Sequence, residues 1–161
     1  FEEDLDSIID STTLITGFTI QNGYAQGGTP YNGGGGMYLS ESSPTLMDIT
    51  FSSNSTDYSG GGVYLHNSSP SLTGVTFSGN TAIFFGGGML LDNSSPTLTD
   101  VTFSGNESYR DGGGMYLNSS SATLTDVGFR DNSAEESGGG ISTQQSQLDI
   151  SKGSETAVQP Y

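Results

Sequence analysis

The 161-residue chain carries 18 acidic residues against 3 basic ones, a formal charge of -15, with 31% hydrophobic residues and neither Cys nor Trp. Such an acid excess repels nucleic-acid phosphates and anionic lipid, so nucleic-acid binding and membrane insertion by this segment are excluded. With 25 Gly, 26 Ser and 18 Thr, long helices are excluded as well, and the length bounds residues 1–161 to one modest domain.

Residues 1–33 read as a degenerate first copy of a repeat. Ile15-Thr16-Gly17-Phe18-Thr19-Ile20 parallels Leu72-Thr73-Gly74-Val75-Thr76-Phe77, and the stretch 23–33 that follows is longer than the standard connection, an expected surface protrusion. Four regular coils span 34–137. Their glycine triplets, starting at Gly34, Gly60, Gly86 and Gly112, and the fifth at Gly138, begin 26 residues apart every time. A fixed period of this length signals a solenoid rather than the disorder that so apolar-poor a composition would otherwise suggest. Residues 138–161 form a degenerate last coil, in which Ile141, Leu148 and Ile150 keep inward character, and a tail from Ser151 without the pattern.

Within a coil, the triplet precedes Met37-Tyr38-Leu39, Val63-Tyr64-Leu65, Met89-Leu90-Leu91 or Met115-Tyr116-Leu117. A Ser/Asn-rich bend then ends near Pro44, Pro70, Pro96 or Ala122. A second apolar stretch runs to Phe51, Phe77, Phe103 or Phe129 and stops at Asn54, Asn80, Asn106 or Asn132. Alternation inside these runs is the period of a strand, placing Met37 and Leu39 on one face and Tyr38 on the other. Leu98 and Val101 lie three apart, which demands a corner at Thr99-Asp100. About three short strands per coil are predicted. The inward apolar side chains of one coil offer on the order of 10 kcal/mol, whereas ordering its backbone costs several times that. Only stacking of like on like, at about 4.8 Å per coil, closes the gap. The fold class is therefore all-β, a parallel solenoid with a phenylalanine stack and an asparagine ladder inside.

The pairing of Gly-Gly-Gly-apolar with Phe-x-x-Asn in each repeat resembles the polymorphic outer membrane protein repeats of chlamydial autotransporters, over residues 34–140 and more loosely 12–33, where Ile20 replaces Phe. The resemblance implies a right-handed parallel β-helix of a bacterial surface protein, an adhesin or secreted passenger rather than an enzyme. Pectate-lyase-type enzymes share the architecture, so fold does not decide function. The chain opens at Phe1-Glu2-Glu3-Asp4 without a Met or visible leader, and it is expected to be a segment of a longer protein, extracellular or on the cell surface.

Chemistry-bearing residues are few. His66, whose counterparts are Ser40, Asp92 and Asn118, reads as a solvated corner residue rather than a catalytic base. Asp100 and Asp126 occupy adjacent coils as a solvated acid pair, with a low-affinity calcium site as the alternative. Arg110 and Arg130 form no stack. No catalytic, cofactor or metal residue is assigned. The glycine triplets lack the Lys-Ser/Thr of a phosphate cradle, and the sequons at Asn54, Asn67, Asn93, Asn106 and Asn118 are by-products of the repeat.

Two aromatic strips are the candidate partner-binding residues. Tyr58, Phe84, Phe85 and Tyr109 lie in the variable segment between Asn and the triplet, for a glycan or protein partner, with shielding of the core as the alternative. Tyr38, Tyr64 and Tyr116 form, with Leu90, an outward ridge, unless another part of the chain covers it. A rank of Thr and Ser (Thr45, Ser71, Thr97 and Thr123 beside Met47, Thr73, Thr99 and Thr125) gives a remote ice-binding alternative. The expected function is a non-enzymatic stalk, surface element or adhesin passenger, self-associating through open coil ends in one variant. A carbohydrate-active or glycan-binding β-helix is the alternative.

Overall fold

The computed structural model describes residues 9–27 and 33–152. Residues 28–32 of the expected protrusion and 153–161 of the tail lie outside the described residues. The chain winds as stacked coils, each turning at four corners. In the coil that begins at Gly60 the strands are Val63–His66, Ser71–Thr73, Thr76–Ser78 and Thr81–Ala82. The last of these, with its counterparts Ser55–Thr56, Glu107–Ser108 and Ser133–Ala134, adds a fourth strand to the three expected from sequence. Two residues are too few to display an alternation.

Like strands pair in parallel, giving one six-stranded and three five-stranded sheets. The register is 26 throughout the regular coils: Phe51 pairs with Phe77, Phe77 with Phe103, and Phe103 with Phe129. The first copy joins in the expected alignment, Ile15 opposite Leu46 and Ile20 opposite Phe51. The last copy follows through Ile141 opposite Met115 and Ile150 opposite Leu124. Ile150, expected inward, is 65% exposed on the last described coil.

The corners are left-handed residues. In one coil these are Gly60 (φ 69°), Asn67 (49°), Gly74 (64°) and Gly79 (61°). The corner expected at Thr99-Asp100 is Asp100 at φ 53°, repeated at Asp48 and Asp126. Asn and Asp tolerate this region because their side chains bond locally. In the triplets only the first glycine needs positive φ. The third is required by proximity, since a Cβ on Gly62 would sit 2.6 Å from the carbonyl oxygen of Gly88 and 3.0 Å from the Phe77 ring. Proline sets where the next strand starts. Pro70 and Pro96 have no N–H to donate, and the strands begin after them at Ser71 and Thr97; Ala122 has one, and its strand runs from Ser121 to Thr125.

The interior is a set of columns. Rings of Phe51, Phe77, Phe103 and Phe129 stack at 5.1, 4.6 and 4.8 Å with planes within 10° of parallel. Leu46, Leu72 and Leu98, and Leu65, Leu91 and Leu117, are fully buried beside them. The asparagine ladder forms as expected: Asn54 donates its backbone N–H and side-chain Nδ2 to Asn80 Oδ1, both at 3.0 Å. Asn80 repeats this toward Asn106, while its Nδ2 also reaches the carbonyl of Phe51 at 3.0 Å. A second ladder was not anticipated. Ser68, Ser94 and Ser120, all buried, each accept the backbone N–H of the serine one coil earlier at 3.0 Å, and each donates Oγ to the carbonyl two residues back. Backbone groups at two of the corners are thus satisfied by side chains of the next coil.

Candidate functional site

The outward face of the strands Met37–Ser40, Val63–His66, Met89–Asp92 and Met115–Asn118 carries two columns. One is Tyr38, Tyr64, Leu90 and Tyr116; the other is Ser40, His66, Asp92 and Asn118, continued by Gln144. The phase expected from sequence holds, with Met and Leu inward and Tyr outward. The tyrosine column is not a bare ridge, however. Tyr116 is 7% exposed and Leu90 5%, because the variable segment folds across them.

The covering ring is Phe85. It stacks on Tyr116 with centroids 4.5 Å apart and planes 25° from parallel. Phe85 is bridged to Asp111 and Asp111 to Ser137, so at this place in the coil the equivalents of Phe85 are Asp111 and Ser137, with Ser59 one coil earlier. The leucine that replaces tyrosine in the outward column, Leu90, therefore comes just after the corner that sends a ring in, at Phe85. The two strips treated separately in sequence converge here. Tyr58, Ser59, Tyr64, Phe85, Leu90 and Tyr116, with Asp92, Asn118 and Gln144, line one cleft of about 160 Å³. This is smaller than the roughly 300–1,000 Å³ of sites for drug-sized molecules, and it suits one side chain or one ring.

Three of the expected partner-binding residues do not line this cleft. Tyr38 packs edge-on against Tyr64 at 5.1 Å, and Phe84 edge-on against Tyr58 at 5.4 Å, so both buttress its walls. Tyr109 stands 43% exposed away from it.

The polar rim comes from the second column. Asp92 Oδ2 meets His66 Nδ1 at 3.0 Å, and Oδ1 accepts from Asn118 Nδ2 at 2.8 Å. The Tyr116 hydroxyl donates to Gln144 Oε1 at 2.9 Å. Burial, and then the Asp92 carboxylate, push the Tyr64 phenol well above its ordinary value. Burial, with Asp111 nearby, raises Tyr116 in the same direction. His66 is thus a partly buried, hydrogen-bonded member of a column, which corrects its reading as a solvated corner residue. Arg110 also has a defined place: its guanidinium carbon lies 5.4 Å from the Phe85 ring centre, and Nε is 3.3 Å from Glu136 Oε1. Sequence reasoning named Asp92 and Asn118 only as counterparts of His66; the signal available was their shared column.

Asp100 and Asp126 lie in successive left-handed corners, and among the described residues no three His, Cys, Asp or Glu side chains are grouped to hold a metal ion. Asn54 and Asn106 are fully buried in the ladder, which closes those two sequons to modification, while Asn67 and Asn93 are exposed. The Thr/Ser rank faces outward, but Leu14 and Asp149 join Met47 and Ser71 as interruptions of its two columns.

Stacked parallel coils with an aromatic cleft in the corner segments define a β-solenoid of repeating unit. The sequence model for the right handed beta helix region matches residues 7–154, and the chain belongs to that family. No curated protein and no solved structure matches it. No helix among the described residues is long and apolar enough to cross a membrane.

Proposed function

We propose that the chain is a non-enzymatic extracellular or cell-surface element, a stalk or adhesin passenger whose rigid coils carry a partner-binding cleft. The observation that carries this reading is how the polar side chains are used. The recurrent ones, Asn54, Asn80 and Asn106 and Ser68, Ser94 and Ser120, are buried and bonded between coils. Where the coils differ from one another, Tyr58 and Phe85 of the variable segment meet Tyr64 and Tyr116 of the outward column in one cleft. Right-handed β-helices serve both enzymes and non-enzymes. Here the rim carboxylate, Asp92, is hydrogen-bonded to His66 and Asn118 of its own column, an arrangement that supports recognition over catalysis. The resemblance of the triplet and Phe-x-x-Asn motifs to chlamydial surface repeats supports display outside the cell. End-to-end association of copies is a compatible variant, since Leu14–Thr16 and Gln147–Ser151 are the outer strands of their sheet.

The test is an array of glycans and surface proteins probed with the wild-type chain and with Phe85→Ser, alongside incubation with acidic polysaccharides with and without calcium. Saturable binding lost in Phe85→Ser, with no chain cleavage, is the expected result. Cleavage of a polysaccharide, or a calcium-dependent rise in melting temperature, would overturn it.

A further inference from the structure

The chemistry of the cleft favours one class of ligand. Its walls are aromatic rings, from Tyr58, Tyr64, Phe85 and Tyr116, and the one carboxyl group on its rim is that of Asp92; no Lys or Arg is among the residues that line it. Aromatic faces attract cations through the ring quadrupole, and a carboxylate beside them adds a charge-assisted hydrogen bond. The Asp92 carboxylate is bonded within the chain by His66, Asn118 and the Tyr64 hydroxyl, and with about four lone-pair sites it keeps capacity for one donor from outside. The surroundings reinforce this. Asp111 approaches Tyr116, the chain as a whole bears -15, and such a field concentrates cations and disfavours anionic sugars. The protein's own Arg110 already applies its guanidinium to Phe85 while paired with Glu136, which shows this aromatic cluster in contact with that group.

We infer that the cleft over Leu90 receives an arginine side chain presented by a partner protein, its guanidinium lying between Tyr58 and Tyr64 and donating to Asp92, with Phe85 closing the cleft behind it on Tyr116. The volume of about 160 Å³ admits one such side chain and no longer segment, so the rest of the partner lies along the outer surface. The charged group facing an incoming guanidinium is Asp92, hydrogen-bonded to His66; Asp111 lies behind, near Tyr116, and Arg110 is held on Phe85 beside Glu136. This inference rests on the proposed binding role of the cleft and names the ligand.

The experiment is an amide-resolved NMR titration of the whole chain with N-acetyl-arginine methylamide. The controls are its neutral isostere N-acetyl-citrulline methylamide and the neutral sugar methyl glucoside. Saturable shifts confined to Tyr58, Tyr64, Phe85, Leu90 and Asp92 are expected with the arginine probe, at millimolar affinity that weakens with salt. Citrulline should bind about tenfold more weakly. Asp92→Asn should lower arginine affinity by about tenfold. Phe85→Ser, which installs the residue found at this place as Ser59 and Ser137, should abolish the shifts with the spectrum elsewhere retained; it decides the matter if Asp92→Asn disturbs folding. Equal binding of citrulline overturns the inference. Cleft shifts with methyl glucoside and none with arginine overturn it too, while leaving a binding role intact. Absence of cleft shifts with all three probes removes both.

Discussion

Replacing Asn80 by alanine removes four hydrogen bonds from the dry interior. Its Oδ1 accepts from Asn54 N–H and Nδ2, and its Nδ2 donates to the Phe51 carbonyl and to Asn106 Oδ1, all between 2.9 and 3.0 Å. Asn54 Nδ2 retains its bond to the carbonyl of Ile20, and Asn106 Oδ1 retains the backbone N–H of residue 80. The Asn54 backbone N–H loses its acceptor in a fully buried position. An orphaned buried donor costs about 1–3 kcal/mol, and each of the other lost bonds about 0.5–1.5. The expected destabilisation of Asn80→Ala is therefore about 4 kcal/mol. Asn132→Ala, which loses three such bonds and likewise orphans the backbone N–H of buried Asn106, should cost about one bond less, roughly 3 kcal/mol. Urea unfolding followed by far-UV circular dichroism gives both values from the shift in midpoint, provided the slope is unchanged. A cost below about 1 kcal/mol for Asn80→Ala would refute the claim that the amide ladder secures the corner backbone.

The phenylalanine stack predicts that Phe77→Ala, removing a fully buried ring with neighbours on both sides, costs about 3–5 kcal/mol in the same assay. Two glycines should respond in opposite ways. Gly88→Ala puts a methyl 2.5 Å from the Gly114 carbonyl oxygen and should cost about 3 kcal/mol or more, whereas Gly128→Ala meets nothing within 4 Å and should gain about 0.5–1 kcal/mol. Because the Tyr64 phenol is raised by burial and by Asp92, its contribution to stability is complete below the ordinary tyrosine range, near pH 10, and declines as pH rises above it. Thermal melts across that range should show a shallower decline for Tyr64→Phe, and an identical decline would contradict the environment described for this ring.

Sequence periodicity carried the architecture because stacking forces each interior position to repeat its physical type. The phenylalanine and asparagine columns, the corner at Asp100 and the inward–outward phase of Met37-Tyr38-Leu39 were all legible for that reason. The serine ladder was equally periodic, but serine in a bend is ambiguous between a turn former and a buried donor and acceptor, and only the depth of Ser94 resolves it. The short strand at Thr81–Ala82 left too few residues to read. The cleft was half legible. Its aromatic residues were named, but in two separate strips, because the direction in which residues 81–85 leave the coil depends on the left-handed turn at Gly86 and on the space left by Leu90. The paired departure of Phe85 and Leu90 from their columns was the one signal of that contact. Asp92 was visible only as a counterpart of His66, and Gln144 not at all, because their value lies in what they rim.

The central claim is that coils 26 residues apart lie directly on one another. Nuclear Overhauser contacts among selectively labelled phenylalanine rings test it most directly. The rings of Phe51, Phe77, Phe103 and Phe129 should connect in a single chain, each to its neighbour across 4.6 to 5.1 Å. Isolated rings, or contacts that skip from Phe51 to Phe103 without Phe77, would contradict it.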